Sequence, residues 1–140
     1  MSNEKSEKKL WTGATDTKNF KVKEFECHCG CGYNQVHPVL MQLCQKIRDA
    51  VDIPVRVNSG CRCSKRNAAV GGKPHSYHLK GLAADLSCSV GAPVLWAAVK
   101  DLWVEGEIPE LKWCCFYPKR NFIHVDIGKD RKEQFAVNYN

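Results

Sequence analysis

Five histidines and nine cysteines among 140 residues are the side chains through which this chain could do chemistry. His124 and Asp126 alternate with Ile123, Val125 and Ile127. On a strand that alternation puts the imidazole and the carboxylate on one face and the three aliphatics on the other. Burying the aliphatic face leaves the polar pair aimed at a common site, although a surface strand with two ordinary polar residues has the same pattern. The second grouping is Ser76-Tyr77-His78-Leu79-Lys80-Gly81-Leu82-Ala83-Ala84-Asp85. Gly81 and the alanines let the backbone turn and pack closely, so a loop-borne His78 can meet a strand-borne Asp85. Two imidazoles and one carboxylate make a three-ligand set for zinc with the fourth position open to water. The plainer alternative is a core histidine hydrogen-bonded to a buried aspartate.

The cysteines are spaced Cys27-x-Cys29-x-Cys31, Cys44, Cys61-x-Cys63, Cys88 and Cys114-Cys115. Their number is odd, so at least one thiol stays outside any intramolecular disulfide set. None of the spacings is the C-x-x-C knuckle of zinc ribbons and fingers. Free cysteine is usually a small buried hydrophobe, and a structural metal at the Cys27 cluster stands second to that reading.

These groups need a scaffold, and the chain is long enough for one compact domain. With 44% apolar and 26% charged residues it has the composition of a soluble globule, which excludes disordered, collagen-like and coiled-coil chains. No apolar run approaches the roughly 18 residues of a membrane span, so membrane insertion is not expected. The polar start MSNEKSEKKL is unlike a secretory signal, and the expectation is synthesis in the cytoplasm with thiols reduced or metal-bound. The net charge of +6 favours anionic partners without choosing among them.

Residues 1–19, rich in Lys, Glu, Ser and Thr, read as a mobile polar tail, with the folded domain over residues 20–140. From Pro38 to Val51, Leu40, Leu43, Cys44, Ile47 and Val51 form one helical stripe, with Pro38 suited to the first turn. Pro54 to Asn58 alternates as a strand, and Ser59 to His75 reads as a Gly-, Asn- and Cys-rich loop. Leu82 to Cys88 is a second strand, and Pro93 opens a second helix that stops near Gly106. Lys112–Tyr117 and Phe122–Ile127 flank the turn Pro118-Lys119-Arg120-Asn121 as a hairpin. Two helices and about four short strands in this order predict an α+β domain, a small antiparallel sheet flanked by helices.

The pattern S-x-H-x-x-G-x-A-x-D followed by a strand bearing H-x-D resembles the zinc D-alanyl-D-alanine peptidases. That group includes cell-wall carboxypeptidases, murein endopeptidases and phage endolysins, and it shares its fold with the hedgehog signalling domain. The likeness runs from about Phe25 to Gly128. It takes in Phe25-Glu26-Cys27-His28-Cys29-Gly30-Cys31-Gly32, Asn58-Ser59-Gly60-Cys61-Arg62, Asn67, Val70-Gly71-Gly72 and the His78 motif. It closes with Tyr117-Pro118 and Phe122-Ile123-His124-Val125-Asp126.

The resemblance implies that His78, Asp85 and His124 bind zinc and that Arg62 holds a substrate carboxylate or carbonyl oxygen, a task its planar fork suits. Ser76 either orients the peptide or serves its own loop. Part of the family places an acidic catalytic base three positions before the last zinc histidine. Here that position is Asn121, which cannot take a proton in that role. Asp126 is the first substitute and His75 the second, and either could instead orient an imidazole. The expected reaction is zinc-assisted hydrolysis of an amide bond in the peptide of peptidoglycan, by a monomer acting on the wall after phage-type release. The competing classes are an inactive zinc-binding interaction module of the same fold and a Cys-rich nucleic-acid module. The latter lacks a basic-aromatic stripe, so no nucleic acid is expected as partner.

Overall fold

The structure, a computed structural model, describes residues 10–140. Among the described residues, three α-helices, two short 3-10 turns and a five-stranded sheet make an α+β domain. Helix α1 spans Pro38–Val51. His37 Nδ1 accepts the Val39 N–H at its start, Pro38 fills the first turn where no N–H partner is needed, and Asp52 stops it in the left-handed region. Leu40, Met41, Leu43, Cys44 and Ile47 are its buried stripe. Helix α2 is the short Ser64–Ala69 and α3 is Ala92–Val104.

Strands β1 (Val55–Ser59), β2 (Ala83–Cys88), β3 (Trp113–Tyr117), β4 (Phe122–Asp126) and β5 (Phe135–Val137) lie in the order β1-β2-β4-β3-β5. Helix α3 packs on the sheet and α1 packs on α3. Ala84, Leu86, Ile123, Val125 and Cys114 point into this layer with Leu95 and Val99. The strand period of two therefore turns Asp85, Cys115 and His124 to the opposite face. No helix among the described residues is long and apolar enough to cross a membrane.

Two expectations are corrected. The sheet is mixed, because β5 pairs with β3 in parallel, Cys114 opposite Phe135. Three residues are too few to show alternation, and β5 is held by tertiary contacts, with Phe135 packed edge-on to Trp96 and Trp103. The stretch read as a loop after Ser59 contains α2, in which Lys65, Arg66, Ala68 and Ala69 are good helix formers, the Arg66 N–H donates to Cys63 Sγ and Asn67 is buried. The tail expectation for residues 1–9 lies outside the described residues; within residues 10–19, Trp11, Gly13, Thr15, Lys18 and Asn19 are exposed and a few side chains are anchored. Ala14 is buried, Thr12 Oγ1 donates to the Val36 carbonyl, and Thr17 Oγ1 donates to Gln45 on α1. Thr12 and Thr17 thus use their hydroxyls within the fold.

Candidate metal and active site

His78 sits on the 3-10 turn Tyr77–Lys80. The turn begins with Ser76 Oγ accepting the His78 N–H at 3.2 Å and ends at Gly81, φ 72°, where any Cβ would collide with the Gln35 carbonyl. Ser76 thus serves its own turn. The His78 ring is buried, with Nδ1 2.7 Å from the Gly60 carbonyl. A carbonyl only accepts, so Nδ1 carries the proton and Nε2 presents its lone pair. That lone pair faces Asp85 Oδ1 at 3.2 Å.

Asp85 on β2 and His124 on β4 are register partners of an antiparallel pair, and Cys115 on β3 continues the row. His124 Nδ1 lies 3.0 Å from the same Asp85 Oδ1, and Nε2 lies 2.8 Å from Asp126 Oδ2. The donor atoms of His78, Asp85 and His124 all fall within 4.8 Å of one another. With Nε2–H given to Asp126, two ring lone pairs and a carboxylate oxygen converge on one place. Such a set is stable only around positive charge. The titration of the groups reflects that demand. Burial works against a charge on His124, but Asp126 and Asp85 outweigh it and raise the ring to about 9. Burial likewise opposes ionisation of Asp85, yet His78 and His124 hold it well below the usual carboxylate range. The donor chemistry fits a divalent cation, since one cation satisfies all three atoms.

Arg62 covers the other oxygen. It lies 3.4 Å from Asp85 Oδ2 and also donates to Ser59 Oγ at 3.1 Å and Asn67 Oδ1 at 3.2 Å, while its backbone N–H donates to the His78 carbonyl. Burial lowers its pKa, with Asp85 offsetting part of the effect. Gly72 is required beside it, because a Cβ there would strike Asn67 and crowd the guanidinium.

Asp126 is buried, and besides His124 it accepts the Gly128 N–H at 3.2 Å. His75 is exposed and lies outside the cluster. Asn121 occupies the hairpin turn at φ 59° and accepts the Ala92 N–H at 2.8 Å, so it caps α3. Tyr117 and Cys115 were not singled out as site residues from sequence. Burial, then Cys115 and Asp85, pushes Tyr117 up to about 12. The run Trp-Cys-Cys-Phe-Tyr has no polar contrast, so only the register of β3 on β4 reveals which side chains share the face of His124.

Residues 18–126 match the family described as peptidase M15. The chain belongs to the peptidase M15 family. M15 peptidases are metal-dependent metallopeptidases acting on peptides, and the matched segment carries the His78, Asp85 and His124 cluster with Arg62 beside it. No curated protein matches the chain.

Proposed function

We propose that this M15 member is a zinc peptidase that hydrolyses an amide bond in the peptide of peptidoglycan, as a D,D-carboxypeptidase or murein endopeptidase. The observation that carries the reading is the convergence of His78 Nε2, His124 Nδ1 and Asp85 Oδ1, with each imidazole's other nitrogen occupied by a protein acceptor. Those three atoms would hold zinc, which supplies a Lewis acid for the amide carbonyl and lowers the pKa of water. Arg62 uses three guanidinium nitrogens on protein partners and has further N–H groups for a substrate carboxylate or carbonyl oxygen. Asp126 orients His124 through the Nε2–H bond. The net charge of +6 suits approach to an anionic wall, and an endolysin reaching it after phage-type release fits a monomer of this size.

Digestion of purified sacculi, read by mass spectrometry with and without chelator, tests this. Muropeptides should appear, stop with chelator and return with zinc. A zinc-loaded protein that releases none would instead be the interaction module, which the engagement of Asn121 in capping favours.

A further inference from the structure

Five cysteines lie in or beside the segment that leads to Arg62, and four of them gather. The sulfurs of Cys27, Cys29, Cys31 and Cys63 all lie within 4.8 Å of one another. Three of the separations are 3.5 Å for Cys27–Cys29, 3.8 Å for Cys27–Cys63 and 3.6 Å for Cys29–Cys63. A regular tetrahedron with zinc–sulfur bonds of about 2.3 Å has edges of about 3.8 Å. A disulfide brings its sulfurs to about 2 Å.

The backbone is shaped to produce this grouping. Extended chain would place Cys27 and Cys31 roughly 13 Å apart at about 3.3 Å per residue. Gly30 and Gly32, at φ 86° and 84°, curl the loop instead. Backbone N–H groups then point at the sulfurs: Cys63 N–H donates to Cys27 Sγ, Tyr33 N–H to Cys31 Sγ and Arg66 N–H to Cys63 Sγ, each at 3.4 Å. Such donors stabilise thiolates and are typical outer partners of a metal site. Cys61 is two residues from Cys63 yet turns away, donating to Asn34 Oδ1 and accepting the Gln35 N–H. Lys65 and Arg66 line the same hollow and offset the negative charge of four thiolates.

We propose that Cys27, Cys29, Cys31 and Cys63 hold a structural metal ion of the zinc class, separate from the His78, Asp85 and His124 site. The ion ties the loop at residues 27–31 to Cys63. Cys63 adjoins Arg62, whose side chain meets Asp85 and whose backbone meets His78. The thiolate site is therefore a clamp on the residue that borders the other cluster. It stands whether or not the protein cuts peptidoglycan.

The test is metal content and cobalt spectroscopy on the full chain, purified reduced. Loaded with Co(II), the wild type and the His78→Ala/His124→Ala variant should both show the intense near-ultraviolet sulfur-to-cobalt band. Cys29→Ser/Cys31→Ser should lose it and bind one zinc fewer by elemental analysis. Both positions are exposed, so serine there buries no hydroxyl. Absence of the band in the wild type, or a band retained by the cysteine variant, overturns the proposal. So does intact mass showing these thiols paired as disulfides in the freshly purified, metal-free protein.

Discussion

Asp126 and His124 stand two residues apart on β4, and the carboxylate takes the imidazole's Nε2–H at 2.8 Å while the other ring nitrogen faces Asp85. The bond selects the tautomer in which Nδ1 is free for a cation. Asp126→Ala should keep the fold and weaken zinc binding about 10- to 100-fold, the usual cost of losing an orienting partner. Asp126→Asn, whose carbonyl can still accept, should recover much of it. Chelator competition reads both. Wild-type affinity in Asp126→Ala, with peptide cleavage abolished, would make Asp126 the base instead.

Arg62 is the border between the two clusters, and its planar fork meets three partners at once. A lysine keeps the charge but cannot reproduce that geometry. Charge-assisted hydrogen bonds contribute about 1.5–3 kcal/mol, so Arg62→Lys should lower kcat/KM on a muropeptide by roughly 10- to 100-fold. Steady-state kinetics at saturating zinc is the measurement. Unchanged kcat/KM would remove Arg62 from substrate recognition.

Local signals explain what could be read ahead of the structure. Helix α1 has its proline, its apolar stripe and its end within one segment, and both its limits are legible. The hairpin of β3 and β4 is equally local. The pairing of His78 with Asp85 follows from a local motif, whereas their meeting with His124 is implied only by the family resemblance and is seen in the register of β2 on β4. Cys63 joins Cys27 across 36 residues, and nothing in the spacing signals it. β5 is likewise made by contacts distant in sequence, whereas α2 is a local element hidden by the glycines and cysteines around it.

Asn121 replaces the acid found in part of the family, and its place in the turn gives it a different task. Asn tolerates the left-handed region, and its amide oxygen caps α3. Asn121→Ala loses both and should cost roughly 1–3 kcal/mol, seen as a lower urea midpoint with kcat unchanged. A large fall in kcat at unchanged stability would contradict the capping role.

Cys44 lies fully buried on α1, and burial, with Glu24 adding to it, pushes its thiol up to about 12 from the ordinary 9.0. Below pH 9 the thiol is neutral in both folded and unfolded chains, and its contribution to stability is complete. Above pH 9 the unfolded chain ionises first, so that contribution drains away as pH rises toward about 12. The loss approaches about 1.4 kcal/mol per pH unit inside that window. Cys44→Ala cannot ionise there. It should be less stable than wild type at pH 7 by about 1 kcal/mol, and the gap should narrow with each step above pH 9. Urea unfolding of the two proteins across that range decides it, since a gap independent of pH would mean the folded thiol titrates like a free one.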